Sequence, residues 1–529
     1  LAIGCAFLGI GGQLLRLASQ GGDMERVSMS RPLATAFSRP DIVDRNGELL
    51  ANDVILPSLF VNPSVVLDRN EIADKLSALI PALKRDTVLR SLSNRKKKFV
   101  WLKRGISPAL AKSIHDLGLP GLGFQYELKR AYPAGRLAGH TLGFVNVDNL
   151  GLAGIERYLD EVEQTDPVFS PRQSQRPPVQ LSLDVGVQHA LKDVLSDAKA
   201  RYQAKAAAGV VVDVRTGEIL AASSYPGVDP LKPEEAEVAD RQDRLRSGAF
   251  ELGSVFKLMT IAHAIDRGAV SADMSIDVTR PITADGHVIA DPHPSAHPLS
   301  VSEVFTRSSN VGAGVLALAG GTDEQKAFLK KLGFDAPLMT EAGHTVRPRL
   351  PKSWNAIETV TVSYGHGLAV SPLQFAAASI PIINGGKRVP LTFLKRSGLK
   401  RSGAPDDGGD RVIAEATSAA MRAMMRENVK SRSGTGWRAD VPGLRVGGKT
   451  GTAEISVNGR YDPSAVISSF VGAFPMDEPR YLTLVSLFEP KPVAETGQKI
   501  GAGATAAPTT ARLIRRVAPL LGVSSRSGL

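Results

Sequence analysis

The sequence predicts an α+β fold in which an antiparallel sheet is flanked by helices. Two hairpin signatures indicate the sheet, because residues 209–222 and residues 468–488 each read as two apolar strands around a short turn. Helical spacing fills much of the interval between the two hairpins. Because strands occur at both ends of this segment and helices lie between them, we expect strands from both ends to join in one sheet. The helices would cover that sheet.

Composition excludes several classes of protein. The chain has 529 residues, of which 43% are hydrophobic and 22% charged, so it is not disordered throughout. A mean hydropathy of -0.04 excludes a polytopic membrane protein, and a single cysteine, Cys5, excludes a disulfide scaffold. The net charge of +11 suits an anionic partner such as a membrane surface or an acidic polymer. Nucleic acid is not predicted as a partner, because the basic patches lack the interleaved aromatic residues of single-strand binders.

The first residues are apolar from Leu1 to Leu15, apart from glycines and Gln13. A spanning helix needs about 20 residues, so this stretch would cross a membrane only with a few further residues before it. A signal-peptide core and a buried helix are the alternatives. Because no clear small-residue cleavage site lies between Arg16 and Met24, we expect residues 1–17 to be a truncated transmembrane anchor.

Further along the chain, residues 39–51 predict two short strands joined by an Asn-Gly turn. Residues 68–92 and 108–117 carry helical spacing. The proline-rich, polar stretch at 164–178 has the composition of a linker. The predicted parts are therefore an anchor at 1–17, an N-terminal domain at 18–178 and a second domain at 179–529.

A nucleophile and its base are predicted in Ser254-Val255-Phe256-Lys257, which opens an apolar run after Gly253. Residues three apart share a face of a helix, so the Lys257 amine can reach the Ser254 hydroxyl. A serine hydroxyl needs such a base to attack a carbonyl, and a lysine can serve if burial and cationic neighbours lower its pKa. The backbone N–H groups at the start of the helix would stabilise an oxyanion.

Spacing alone does not select these residues. The same S-x-x-K spacing recurs at Ser93, Ser196 and Ser397, and S-x-N occurs at Ser308, Ser353 and Ser456. K-T-G occurs once, at Lys449. Order along the chain then selects one acyl-transfer signature: Ser254 with Lys257, Ser308 with Asn310, and Lys449-Thr450-Gly451-Thr452.

Each selected residue suits a chemical role, although each could also be an ordinary cap or strand residue. Ser308 can relay a proton between the nucleophile, a lysine and the leaving amine, and Asn310 can hold a substrate amide. Lys449 supplies positive charge, and the hydroxyls of Thr450 and Thr452 can bind a terminal carboxylate. The predicted substrate-binding set is Thr450, Gly451 and Thr452, with the glycine permitting close backbone approach.

With these motifs the chain resembles the class B penicillin-binding proteins, which are monofunctional peptidoglycan D,D-transpeptidases, and most of all their division-specific FtsI type. The resemblance extends over nearly the whole chain. The N-terminal domain resembles the family's pedestal at residues 39–51, 129–135 and 143–156, and Tyr364-Gly365-His366-Gly367 resembles the glycine-rich segment of the catalytic half. Leu252 departs from the pattern, because many relatives have proline there; we expect an altered approach to the helix and no lost catalytic group.

The resemblance implies a transpeptidase domain of serine β-lactamase-like fold after an elongated pedestal. It implies that Ser254 attacks the penultimate D-Ala of a stem peptide ending in D-Ala-D-Ala, with Lys257 as the base. The backbone N–H groups of Ser254 and Thr452 would form the oxyanion hole. An amine of a neighbouring strand would then take the acyl group, and β-lactam antibiotics would acylate the same serine. No metal and no organic cofactor are implied.

The resemblance also implies a single-pass protein of the cell inner membrane, with its catalytic domain in the periplasm and a role in septal wall synthesis. Its partners would be a membrane-embedded glycan polymerase and other divisome proteins. An elongation-specific relative is the nearest alternative. A β-lactamase or D,D-carboxypeptidase, in which water replaces the amine, and a penicillin-binding sensor or scaffold are the more distant ones.

Two other groups of side chains are candidates for chemistry. His366, between glycines, is interpreted as a packing or loop residue, because the acid–base work already has candidates. A histidine and aspartate cluster lies in a proline-rich segment that is not a helix, so we expect a loop beside the active site in preference to a metal site. The cluster comprises Asp285, His287, Asp291, His293 and His297.

Overall fold

The computed structural model describes residues 38–163, 177–396, 410–457 and 460–525. The predicted anchor and most of the predicted linker lie outside these residues. The chain forms two compact units: residues 38–40 and 52–131 are the described part of the first, and residues 41–51 and the described residues from 132 onward form the second. Within the described ranges, no helix combines the length and the apolarity needed to cross a bilayer. The domain boundary near residue 178 stays a prediction.

The N-terminal part of the chain contains short strands and helices. Its strands are β1 (Ile42–Val43), β2 (Leu49–Val61), β3 (Val100–Lys103) and β4 (Leu122–Ala131). Its helices are α1 (Arg69–Leu79), α2 (Arg85–Ser91), α3 (Pro108–His115), α4 (Gly139–Leu142) and α5 (Gly154–Glu163).

In the first unit, β2 pairs antiparallel with β3 and with β4, and apolar residues of the helices α1 to α3 are buried together with those of β2. The predicted turn after β1, which belongs to the second unit, is confirmed, with Gly47 in the left-handed region at φ 95°. The continuous helical spacing predicted over residues 68–92 is wrong in one respect, because α1 ends at Leu79 and α2 begins at Arg85. Pro81 lies in the break, where its missing N–H and its ring would interrupt a helix.

The C-terminal part carries the larger sheet and the helices around it. Its strands are β5 (Val179–Gln180), β6 (Ala206–Asp213), β7 (Ile219–Tyr225), β8 (Ser275–Ile276), β9 (Ile282–Ala284), β10 (His287–Ile289), β11 (Leu299–Ser300), β12 (Met339–Thr340), β13 (Gly343–His344), β14 (Gly447–Val457), β15 (Arg460–Phe474) and β16 (Tyr481–Phe488). Its helices are α6 (Val185–Arg201), α7 (Lys257–Asp266), α8 (Val301–Arg307), α9 (Asn310–Gly320), α10 (Thr322–Lys331), α11 (Ala356–Ser363), α12 (Pro372–Ile383), α13 (Glu415–Lys430) and α14 (Ala506–Leu520).

The main sheet of the second unit has the strand order β14-β15-β16-β6-β7, and every neighbouring pair is antiparallel. Both predicted hairpins are present, as β6 with β7 and β15 with β16. Strands from the two ends of the segment meet in the middle of the sheet, where β16 pairs with β6. The predicted α+β fold with an antiparallel sheet is therefore confirmed.

Alternation along the strands divides the core into two layers. Val210 and Val212 are buried in the same apolar cluster as residues of α7, α12 and α13, whereas Val211 is buried in the cluster that holds residues of α6 and α14. Successive side chains of a strand point to opposite faces, so the sheet carries helices on both faces. This packing fixes β14 at one end of the sheet, beside α13 and the turn that precedes α7.

His263 lies inside the first of these layers, on α7, and only 2% of its surface is exposed. Its ring lies 5.1 Å from the ring of Phe328, and neither ring nitrogen has a hydrogen-bond partner among the described residues. Burial, with a smaller effect of the charge on Arg267, lowers the pKa of His263 to about 4. The residue is therefore a neutral core side chain at physiological pH.

We expect His263→Leu to make the protein less sensitive to acid. An unfolded histidine has a pKa of about 6.5, so above that pH both states are neutral and the residue contributes no pH dependence. Between pH 6.5 and 4 only the unfolded state takes up the proton, which costs the wild type about 2 kcal/mol at pH 5. The measurement is the fall in Tm between pH 8 and pH 5, with His344→Leu, an exposed position, as the control. Equal falls in wild type and His263→Leu would contradict the expectation.

Candidate active site

Ser254 lies in a 3₁₀ turn, Gly253–Phe256, that leads directly into α7. Residues three apart eclipse each other in such a turn, and the Nζ atom of Lys257 lies 2.7 Å from the Oγ atom of Ser254. Gly253 is at φ 61°, and a Cβ atom there would lie 2.5 Å from the carbonyl oxygen of Thr452. Glycine therefore lets the nucleophile turn pack directly against β14.

The segment Ser308-Ser309-Asn310 joins α8 to α9. Ser308 is in the left-handed region at φ 63°, which is uncommon for a residue other than glycine. Ser309 caps α9 by accepting a hydrogen bond from the N–H of Gly312 at 2.8 Å. Asn310 begins α9, and its Oδ1 atom lies 2.7 Å from Lys257 Nζ. The tight connection thus brings the predicted S-x-N residues to the base.

The hydroxyl of Ser308 lies between the two lysines of the signature. Its Oγ atom is 3.3 Å from the Nζ atom of Lys257 and 3.0 Å from the Nζ atom of Lys449. Lys449 reaches this position from β14 and also donates to the carbonyl oxygen of Thr450 at 3.1 Å. Ser254, Lys257, Ser308 and Lys449 therefore form one connected set of hydrogen bonds.

Both lysines are fully buried. Burial lowers the pKa of Lys449 to about 7. Burial also holds the pKa of Lys257 well below its ordinary value, and the charge of Lys449 lowers it further, while the carboxylate of Asp291 opposes the change. A neutral Lys257 has one lone pair and two N–H groups, so it can accept the Ser254 proton while donating to Ser308 and Asn310.

The threonines of the K-T-G-T segment lie in different surroundings. Thr450 is buried, and its hydroxyl donates to Thr435 Oγ1 at 2.7 Å. Asn428 of α13 accepts from the hydroxyl of Thr435 at 3.1 Å and so anchors this pair. Thr452 is exposed, and its Oγ1 accepts from the N–H of Ala502 at 3.0 Å. Sequence reasoning missed Thr435 and Asn428, because no motif marks them.

Gly451 has no room for a side chain. A Cβ atom there would lie 2.3 Å from the carbonyl oxygen of Leu252 and 3.0 Å from the backbone nitrogen of Val255. Leu252, where the sequence departs from the family pattern, is fully buried. The main chain before Ser254 thus rests on β14 at Gly451.

Asp291 belongs to the site, although the sequence grouped it with histidines. Its Oδ2 atom accepts from the hydroxyl of Ser309 at 2.5 Å, and its Oδ1 atom accepts from the N–H groups of Asn310 and, at 3.1 Å, Val311. In the part of the chain that the structure describes, no three His, Cys, Asp or Glu side chains converge to hold a metal ion. The remaining members of that cluster are exposed: Asp285, His287, His293 and His297.

Comparison with known families accounts for most of the chain. Residues 207–514 match the penicillin-binding protein transpeptidase domain, and residues 35–166 match the penicillin-binding protein dimerisation domain. The first match spans more than half of the sequence. The chain belongs to the penicillin-binding protein family.

Individual relatives place it among the class B members of FtsI type. It is 38% identical to the probable peptidoglycan D,D-transpeptidase FtsI of Caulobacter vibrioides, over 93% of this chain and 83% of the relative. It is 30% identical to the peptidoglycan D,D-transpeptidase FtsI of Escherichia coli K12, over 92% of this chain and 84% of that relative. The apo transpeptidase domain of Burkholderia pseudomallei penicillin-binding protein 3 superposes with a TM-score of 0.58 at 32% identity, covering 66% of this chain and 98% of that domain.

These matches confirm the resemblance, the fold class and the reaction class predicted from the sequence. A class B penicillin-binding protein of FtsI type is a serine D,D-transpeptidase, and the pedestal resemblance agrees with the dimerisation-domain match.

We expect Asp291→Ala to weaken both the fold and the site. The change leaves the hydroxyl of Ser309 and two N–H groups of α9 without their acceptor, and the loss of a helix cap costs about 1–2 kcal/mol. Asn310 would then be held less firmly beside Lys257. The Tm and the rate of acylation by a β-lactam should both fall, whereas Asp335→Ala, at an exposed position, should change neither. An unaltered Tm and rate in Asp291→Ala would contradict this assignment.

Proposed function

We propose that the chain cross-links peptidoglycan stem peptides in septal wall synthesis through an acyl-enzyme on Ser254. The observation that carries the proposal is the 2.7 Å separation between Ser254 Oγ and the Nζ atom of a fully buried Lys257. Family membership supplies the reaction class. The substrate is a stem peptide ending in D-Ala-D-Ala, and β-lactam antibiotics are inhibitors that acylate the same serine.

In the acylation step, Ser254 attacks the carbonyl carbon of the penultimate D-Ala. Neutral Lys257 takes the hydroxyl proton as the bond from Oγ to carbon forms, which is the role of a general base. The proton then reaches the nitrogen of the terminal D-Ala by way of Ser308, whose Oγ atom lies 3.3 Å from Lys257 Nζ. The peptide C–N bond breaks, and D-Ala leaves as a neutral amine that carries the proton from Ser254.

Two further groups of atoms stabilise the bound peptide. The backbone N–H groups of Ser254 and Thr452 form the oxyanion hole, which is supported by the direct packing of Gly253 on the Thr452 carbonyl. Lys449 and the hydroxyl of Thr452 bind the terminal carboxylate, whereas Thr450, whose hydroxyl donates to Thr435, positions this segment. Asn310, held by Lys257 at 2.7 Å, has its side-chain amide N–H groups available for the substrate amide.

The FtsI relationship supports a proposed place for this reaction in the cell. Residues 1–17 are proposed as the membrane anchor, and the catalytic unit is proposed to work in the periplasm at the inner membrane. A membrane-embedded glycan polymerase would make the strands that this enzyme cross-links, and other divisome proteins would recruit it. No metal or organic cofactor takes part in the proposed steps.

We expect Ser254→Ala to abolish covalent labelling by a β-lactam, because it removes the attacking oxygen. Intact-protein mass after exposure to the antibiotic, followed over hours, should show a persistent adduct on the wild type. Ser196→Ala is the matched control, since Ser196 has the same S-x-x-K spacing, to Lys199, but lies on α6. It should be labelled like the wild type.

The other outcomes of this experiment separate the alternatives. A transient adduct with consumption of the antibiotic would overturn the transpeptidase proposal in favour of a β-lactamase or carboxypeptidase, in which water deacylates the enzyme. An adduct that persists on Ser254→Ala would show a different nucleophile. If the folded wild type forms no adduct, the sensor or scaffold is the alternative that remains.

We expect Lys449→Gln to move the pH dependence of acylation to higher pH. The charge of Lys449 lowers the pKa of Lys257, so its removal raises that pKa and a higher pH is needed to deprotonate the base. The measurement is the second-order rate constant of β-lactam acylation against pH. Lys430→Gln removes an exposed charge at the end of α13 and should leave the profile in place. If the pH at which the rate constant rises stays the same or becomes lower in Lys449→Gln, the role of Lys257 as the base is contradicted.

A further inference from the structure

A second group of side chains lies beside the nucleophile turn and takes no part in acylation. The segment Tyr364-Gly365-His366-Gly367 packs on this turn so closely that a Cβ atom on Gly365, at φ 85°, would lie 2.2 Å from the carbonyl oxygen of Gly253. The N–H of Gly367 donates to the carboxylate of Glu251 at 3.1 Å. His366 is therefore held next to the Ser254 turn by two separate backbone contacts.

The carboxylate of Glu251 is the centre of this group. The hydroxyl of Tyr461, on β15, lies 3.2 Å from each of its oxygens, and the Nδ1 atom of His366 lies 3.6 Å from Oε2. The ring of His366 lies 5.4 Å from that of Tyr364 and 5.6 Å from that of Tyr461. We name Glu251, Tyr364, His366 and Tyr461 the aromatic–carboxylate cluster.

The cluster connects solvent with the catalytic lysine. The side chains of His366 and Glu251 are 30% and 21% exposed. On the inner side, the Nζ atom of Lys257 lies 5.8 Å from the centre of the Tyr364 ring. A molecule that approaches from solvent past His366 therefore comes next to the base and to the acylated Ser254.

The charge of the cluster is opposite to that of the rest of the site. The positive charge of Lys449 attracts the donor's carboxylate, but it repels the second substrate, which arrives as an ammonium ion. A carboxylate with aromatic rings around it binds such a cation through charge and through the ring faces. Glu251, with the rings of His366 and Tyr461 near it, offers such a site beside the nucleophile turn.

We propose that the aromatic–carboxylate cluster is the subsite for the acceptor amine, and that His366 takes the proton that makes this amine nucleophilic. The inference rests on the proposed function, since it requires an acyl-enzyme on Ser254. It assigns the second half of the reaction to residues outside the three motifs. Glu251 binds the ammonium ion and orients His366, and the two tyrosines enclose the site.

The transfer step balances in protons and bonds. The acceptor ammonium gives one proton to neutral His366, at Nε2, because Nδ1 faces Glu251. The amine nitrogen then bonds to the acyl carbon, the bond from that carbon to Oγ of Ser254 breaks, and the second nitrogen proton returns through Lys257 to Oγ. The imidazolium releases its proton to solvent, to which it is partly exposed. An amide, a free serine and one released proton result.

The surroundings of His366 keep it suited to accept a proton. The pKa of His366 is lowered overall, mainly by burial and to a smaller extent by the charge of Lys257. The carboxylates of Glu251 and Glu454 oppose this change. Burial and Glu251 raise the pKa of Tyr461 to about 12, so Tyr461 stays a hydrogen-bond donor. The titratable groups that face His366 are Glu251, Lys257, Tyr364, Glu454 and Tyr461.

The test measures how the acyl-enzyme divides between an amine and water. A thioester analogue of a D-Ala-terminated donor acylates the full chain, and a stem tripeptide with a free side-chain amine serves as acceptor, with its acetylated form as the blank. His366→Gln should lower the ratio of aminolysis to hydrolysis by about 100-fold or more, in the range of a lost general base. His344→Gln, at an exposed position, should leave the ratio unchanged.

Glu251→Gln separates binding from proton transfer. The glutamine keeps an oxygen that can accept the hydrogen bond from the Gly367 N–H, but it loses the negative charge. The concentration of the stem tripeptide at half-maximal aminolysis should therefore rise about 10-fold, with a smaller effect on the maximum rate. Tyr461→Phe should reproduce part of that rise. If Glu251→Gln and His366→Gln leave both the ratio and this concentration unchanged, the inference is wrong.

β-Lactam acylation of the same samples distinguishes the two proposals. A wild type that the antibiotic does not acylate overturns the proposed function. A wild type that is acylated and transfers its acyl group, while His366→Gln transfers it equally well, overturns the acceptor subsite alone. Acylation and transfer that fall by the same factor in His366→Gln would also overturn it, because the residue would then act on the nucleophile.

Discussion

The site depends on the burial of two lysines whose amines share the hydroxyl of Ser308. An isolated ammonium group is costly to remove from water, and Lys257 and Lys449 are removed completely. The cost becomes tolerable because burial lowers both pKa values, and the charge of Lys449 lowers the pKa of Lys257 further, which favours the neutral, basic form of Lys257. The burial that is unfavourable for a charged lysine is therefore also what makes Lys257 a catalytic base.

Such an arrangement needs a rigid frame, which glycine and backbone contacts provide. Gly253 and Gly451 let the turn before α7 rest on β14 without intervening side chains, and Asp291 fixes the start of α9 through one side-chain and two backbone hydrogen bonds. β14 is in turn paired with β15 along most of its length. Each acid–base group thus sits on an element that the core of the second unit holds, as preorganised catalysis requires.

The sequence predicted the sheet and the motif residues well, because these signals are local. Two hairpins, an S-x-x-K turn and a single K-T-G can each be read within a few residues. Asp291 and Tyr461 could not be assigned in this way, since they contact the site across 18 and 210 positions of the chain. The break at Pro81 was a local signal that the apolar spacing around it obscured. Long-range polar contacts carry no period or motif, so only the folded chain shows them.

The two halves of the proposed reaction place opposite demands on solvent. Acylation needs a dry lysine, because water would restore the ordinary pKa of the base, whereas transfer needs a path by which a hydrated ammonium ion enters. One group cannot meet both demands. The fold separates them, because Lys257 is fully buried and His366 is partly exposed, although both lie near the ring of Tyr364. The proposed reaction thus has a buried base for acylation in Lys257 and an accessible base for transfer in His366.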